Sequence, residues 1–255
     1  MAVDFRRDGV RSSLVWDVLS AVVSARSAAT GRSALDIVDV GGGTGGLAVP
    51  FAVLGHHVTV VDPSPDALAA AQRRAAEAGA RLASVQGEAA SLDSLVGPAD
   101  LVICHNVLEY VDEPADAMSA IARVLQPSAT VSVLASNAVA AVLHRALAGR
   151  FAEARVLLIS GGTTPVDPPR TGGLPAPPFP PGRRFTLPEL TALLEQAGLR
   201  AGEAHGLRIF TGLVPGALLD GDAAATEALR ALEEAAASIP PLRDIAAQLH
   251  VLGHR

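Results

Sequence analysis

The feature that most constrains this chain is a run of glycines between an apolar segment and a helix-like one, Asp39-Val-Gly41-Gly42-Gly43-Thr-Gly45-Gly46. Residues 34–40 read as a buried strand, and LAVPFAVLG after the glycines has helical character, with Pro50 where a first turn tolerates it. Glycines at a strand-to-helix junction let the backbone approach a nucleotide-like ligand without Cβ clashes. Asp62 stands nineteen residues beyond Gly43, at the end of a second strand over 57–61. A carboxylate there can accept hydrogen bonds from both hydroxyls of a ribose. The loop and the acid together predict a binding site for an adenosine-containing cofactor. Gly41, Gly43 and Gly46 also satisfy G-x-G-x-x-G, so the loop taken alone admits NAD.

The rest of the chain extends the same alternation. Apolar residues at helical spacing over 10–29 predict an amphipathic helix before the first strand, with Trp16 packing it on the sheet. Ser64 reads as an N-cap with Pro65 at the first helical position, and Gly79 stops that helix. Strands follow at 80–86, 101–104 and 129–135, with a helix over 114–125 between the last two. This order predicts an α/β fold with a Rossmann-like, doubly wound, mostly parallel sheet. Beyond Ala135 the rhythm changes: a helical stretch over 138–158 runs into a proline- and glycine-rich segment over 161–182. Thr186-Leu-Pro-Glu189 makes a capping box for a further helix, and strands at 199–211 and 248–253 flank a helix over 223–237. We read a single domain over 1–255, with a helical and proline-rich cap or lid inserted at about 136–185.

Composition excludes several classes. No apolar stretch reaches the ~20 residues of a membrane span, and MAVDFRRDGV lacks an export-type apolar core, so a cytoplasmic protein without a membrane partner is expected. The single cysteine, Cys104, allows no internal disulfide, and the seven histidines show no metal-ligand spacing, so no metal is expected. A net charge of −6 argues against holding nucleic acid by overall charge. All twenty basic residues are arginine.

Four segments in order, residues 36–46 (DIVDVGGGTGG), 58–62 (VTVVD), 86–90 (QGEAA) and 100–108 (DLVICHNVL), resemble the successive motifs of class I S-adenosylmethionine (SAM) dependent methyltransferases. The resemblance implies SAM as cofactor. Asp39 would position the methionine end, Gly41, Gly42, Gly43 and Gly45 would form the loop, and Asp62 with Pro63 would hold the ribose. Glu88, where aspartate is commoner, would flank the adenine with Ala89, and His105 would close the set.

Further segments, His105-Asn-Val-Leu-Glu-Tyr110-Val, NAVAAVLHRALAGRF from Asn137, Gly206-Leu-Arg-Ile-Phe210 and the C-terminal LHVLGHR, are similar to the bacterial tRNA wobble-uridine 5-oxyacetate carboxymethyl methyltransferases. That likeness implies Arg11 near the SAM carboxylate, and Asn137, His144 and Arg208 facing the acceptor. The family's lysine-rich stretch is replaced here by the proline- and glycine-rich one, and the residues after Phe210 differ. The expected reaction is methyl transfer to an acceptor oxygen, either a carboxylate on a modified tRNA wobble uridine or a small molecule. A carboxylate needs no base, only a cation such as Arg208 to orient it. A hydroxyl or amine would call on His105, Tyr110 or His144 for proton removal. A further alternative, an NAD-linked oxidoreductase, lacks a Tyr-x-x-x-Lys pair here, and a non-catalytic SAM-binding protein is a fourth.

Overall fold

A computed structural model of the chain describes residues 10–162, 182–214 and 223–255, with side chains from residue 14 onward in these ranges. The proline-rich part of the expected cap, residues 163–181, lies outside the described residues. The chain divides into two compact units: Met1–Leu134 with Leu190–Ala204 and His250–Arg255, and Ala135–Glu189 with His205–Leu249. The second unit thus begins where the cap was expected and also takes in a second stretch of chain.

The first unit is built on a seven-stranded sheet. Its strands are β1 (Asp36–Val40), β2 (His57–Asp62), β3 (Ala83–Gln86), β4 (Ala99–His105), β5 (Leu125–Ser136), β6 (Arg200–Leu207) and β7 (Gln248–His254), in the order β3-β2-β1-β4-β5-β7-β6. The pairs β1–β2, β1–β4, β2–β3 and β4–β5 are all parallel. β7 runs against β5, because the Ser128 amide donates to the Arg255 carbonyl while the Asn137 amide donates to that of Ala247. β1 and β4 are buried nearly throughout, which is why both read as continuous apolar runs instead of alternating ones.

The helices α1 (Val10–Thr30), α2 (Ala48–Val53), α3 (Pro65–Glu77), α4 (Leu92–Leu95) and α5 (Pro114–Val124) pack in this unit. α1 buries Val15, Leu19 and Val23, and the half-buried Trp16 meets Phe51 of α2 at 4.7 Å, a helix-to-helix contact where packing on the sheet was expected. Asp100, 1% exposed, accepts from Arg26, Arg32 and the Asp36 amide, so one desolvated carboxylate ties α1 to the start of β1 and β4. Ser64 caps α3 by accepting from the Ala67 amide.

The second unit contains α6 (Ala138–Leu147), α7 (Phe151–Ile159) and α9 (Ala223–Ala236), while α8 (Leu187–Gln196) lies mostly in the first. Two sequence expectations change here. The single helix over 138–158 is two, because Gly149 takes φ +72° and its amide turns back to Ala146, a left-handed stop that ends α6. The strand expected to run to residue 211 ends at Leu207, because Arg208 adopts φ +59° and the chain turns away. The capping box stands as expected: the Thr186 amide donates to Glu189 at 2.7 Å, and the Glu189 amide to Thr186 Oγ1 at 3.4 Å.

Candidate active site

At the carboxyl ends of β1, β2 and β4 the first unit opens into a cleft of about 530 Å³, the position where open α/β sheets bind ligands. Val40, Gly41, Asp62, Pro63, Glu88, Ala89, Asn106 and Val107 line it, so five of the expected cofactor residues stand together. Gly41 must lack a side chain, since a Cβ there would come within 2.3 Å of Val107, and one at Gly42 would reach 2.6 Å from the Asp39 carboxyl. Gly41, Gly43 and Gly45 all hold positive φ, which lets the loop curl back against the sheet. Asp62 Oδ2 accepts from the Gly43 amide at 3.0 Å and Oδ1 from the Ser64 amide at 2.8 Å. The acid expected to receive a ribose is therefore preset by the loop itself, and each oxygen retains a lone pair for a ligand.

Asp39 is 4% exposed. Burial, partly countered by the Ala48 amide and reinforced by the Asp62 charge, pushes its carboxyl up to about 7. Cys104 is fully buried and its thiol is pushed well above the usual range, which makes it inert packing.

His105 ends β4, and Asn106 turns the chain at φ +55° into the cleft-lining segment. The imidazole is half-buried, with Nε2 2.7 Å from Ser132 Oγ on β5, and Ser132 Oγ is in turn 2.7 Å from His250 Nε2 on β7. Ser132 and His250 are wholly buried. His105 is thereby joined to a side-chain chain across three strands. Nothing in residue order points to Ser132. His250 falls in the LHVLGHR segment, but only the fold brings it beside His105.

The residues expected to face the acceptor lie in the second unit. Asn137 is 1% exposed, and its side-chain amide donates to the Asp244 and Ala246 carbonyls while its oxygen accepts from Val139 to cap α6. His144 is half-buried, and burial, with the charges of Arg208 and Arg145, lowers its pKa. It lines a hollow of about 360 Å³ with Arg145, Arg150 and Gly212. Arg208 is exposed, and among the described residues no ion pair joins it to Glu203. Arg11 lies in the first turn of α1 with its side chain outside the described residues. Tyr110, a candidate for proton removal, also lines the cleft, but sequence reasoning missed the residues beside it, Val111 to Glu113 and Asp116, which carry three carboxylates.

Residues 37–128 match a family described as a methyltransferase domain. The tRNA 5-carboxymethoxyuridine methyltransferase of Escherichia coli (strain K12) is 30% identical over 148 residues, 56% of this chain and 54% of that protein. The ubiquinone biosynthesis O-methyltransferase of Xylella fastidiosa (strain 9a5c) is 30% identical over 174 residues, 68% of this chain and 63% of that protein. Residues 37–128 thus carry a methyltransferase domain, and the chain is similar to class I SAM-dependent methyltransferases. The fold agrees with that of magnesium protoporphyrin IX methyltransferase from Synechocystis PCC 6803, at a TM-score of 0.54 and 18% identity, covering 100% of this chain and 89% of that one. It agrees equally with a putative sarcosine dimethylglycine methyltransferase from Galdieria sulphuraria, at 0.56 and 12%, covering 100% and 91%. The matched segments span between half and two thirds of the length of the two curated relatives.

Proposed function

We propose that this methyltransferase moves the SAM methyl group to an oxygen of a small-molecule acceptor. The observation that carries the reading is the cleft at the strand ends, with a glycine wall, a preset Asp62 and a buried Asp39. Those residues fit SAM: Asp62 and Glu88 offer acceptors to an adenosine, and Asp39 offers a desolvated carboxylate beside a cationic methionine end. SAM, when bound, supplies an electrophilic methyl on a sulfonium. The chain's own task is to hold an oxygen nucleophile in line with that methyl and to keep water out. Asn137 braces α6 within the second unit, where its polar atoms are engaged. A small acceptor is favoured over a polyanion because Asp62, Glu88, Asp112, Glu113 and Asp116 all line the cleft, a field that repels phosphates.

The second reading, a carboxylate on a modified tRNA wobble uridine, draws on Arg208 and His144 in the second unit and on the relative of that name. There Arg208 orients the carboxylate and no base is required. Calorimetry with S-adenosylhomocysteine (SAH) and with NAD tests the cofactor. We expect SAH to bind and NAD to give no heat; the reverse result removes the family's chemistry from this cleft.

A further inference from the structure

We propose that the carboxylates lining the cleft, with Asp112, Glu113 and Asp116 as one wall of it, select the cofactor by its charge, so that the cleft holds SAM more tightly than SAH and loosens its grip on the spent cofactor. The proposal rests on SAM as the cofactor and is independent of which acceptor receives the methyl group.

The lining of the cleft carries five carboxylates, Asp62, Glu88, Asp112, Glu113 and Asp116, and among the described residues no cation. Asp39 adjoins the glycine loop beside them. Among the described residues no salt bridge reaches any of these six acids. Acids elsewhere in the chain do take arginine partners, as Asp93 does with Arg123, Asp100 with Arg26 and Glu227 with Arg230. In the cleft the negative charge is left uncompensated, and the cleft's own groups feel it, since the Asp62 charge is one of the causes that raise the Asp39 carboxyl.

The start of α5 accounts for part of the wall. Glu113 is its N-cap and Asp116 lies in its first turn, where the positive end of a helix favours acids. Asp112 precedes that helix, and Asp62 and Glu88 stand on other elements, so the needs of one helix do not explain five acids around one cleft.

SAM carries one positive charge more than SAH. When the methyl leaves, the S–CH3 bond breaks with its electron pair on sulfur, and the sulfonium becomes a neutral thioether. The attraction between cleft and cofactor therefore falls as the product forms, while the adenosine and amino-acid ends are the same in both molecules. An exposed carboxylate about 10 Å from a cation is worth roughly 1.5-fold in affinity at about 20 mM salt, so five acting together give about five- to tenfold. Almost none of this survives at about 500 mM salt, where the screening length is only a few ångströms.

The test is calorimetry of the full chain with SAM, with SAH and with sinefungin, a stable analogue that carries an ammonium group in place of the sulfonium. At about 20 mM salt SAM should bind about five- to tenfold more tightly than SAH, with sinefungin siding with SAM, and the gap should close to within about twofold at about 500 mM. Asp112→Asn, Glu113→Gln and Asp116→Asn combined in one variant should cut the low-salt preference by about threefold while SAH affinity stays within about twofold. All three side chains are exposed, so the exchange leaves the core untouched. A purely structural role at the start of α5 would show as lost stability in urea with the preference unchanged, and that result overturns the proposal. SAH binding as tightly as SAM at low salt, or a preference that does not respond to salt, overturns it too. If the triple variant misfolds, the salt series on the unaltered chain decides alone. Failure of all three compounds to bind would remove SAM from this cleft, and this proposal with it.

Discussion

Asp62 performs two tasks with one carboxylate, and the difference between them is measurable. It holds the Gly43 and Ser64 amides, and it faces the cleft where a ribose would sit. Asp62→Ala should weaken SAH binding by ~1.5 to 3 kcal/mol, as expected for a charged acceptor, and should also cost about 1 to 2 kcal/mol of stability through the two amides left without it. Calorimetry and urea unfolding separate these effects, and an unchanged SAH affinity would place the ribose elsewhere. Asp39 makes a different prediction. An unfolded carboxyl near 3.8 and a folded one at about 7 mean that the folded chain holds a proton that the unfolded chain releases between those values. The stability this proton provides is fully present below pH 3.8, is lost as pH rises to about 7, and does not change beyond. At 1.36 kcal/mol per unit the loss is roughly 4 kcal/mol. Unfolding of the ligand-free protein at a series of pH values should show that slope in wild type and a flatter one in Asp39→Asn. Equal slopes would mean that Asp39 ionises normally.

At the scale of elements, the turn after β6 shows what a buried acid can impose. Glu233 of α9 is 4% exposed and accepts from the amides of Ile209 at 2.7 Å, Phe210 at 2.9 Å and Thr211 at 2.7 Å, and from the Thr211 hydroxyl. Three successive amides collected on one carboxylate cannot belong to a strand ladder, so β6 stops and Arg208 takes its left-handed conformation. Glu233→Gln replaces an acceptor oxygen with an amide donor among these donors, and should destabilise the protein by about 2 to 4 kcal/mol in urea unfolding. A loss under 0.5 kcal/mol would mean that the turn holds itself. This element also marks where sequence reasoning ran out. Leu207 and Ile209 are both buried and Arg208 is exposed, as strand alternation requires, so the pattern was right while the backbone behind it was a turn. The cause lies 24 residues away in an alanine-rich helix, where one more glutamate carries no signal. Strands β1, β2 and β4, the glycine loop and Asp62 were legible because local periodicity and backbone sterics dictate them. Ser132 and His250 were not, because only sheet order places them beside His105.

For the molecule as a whole, charge offers a test between the two proposed acceptor classes. The chain carries a net charge of −6, all of its cations are arginines, and many of them serve internal bonds. Arg26 and Arg32 hold Asp100, Arg150 pairs with Glu153, Arg230 with Glu227 and Glu234, and Arg255 holds carbonyls at the end of α5. The cleft itself presents carboxylates at its wall. An enzyme gripping tRNA by 6–10 phosphates would lose ~10³ to 10⁵ in affinity between 50 and 200 mM salt, because each contact releases counterions. A small acceptor releases almost none. The expected outcome is that kcat/KM for the acceptor changes by less than about threefold across that range, with Arg208→Ala leaving the salt dependence as it was. If kcat/KM instead falls steeply with salt, and Arg208→Ala makes that fall shallower by about one phosphate contact, the acceptor is a nucleic acid and Arg208 is one of its handles.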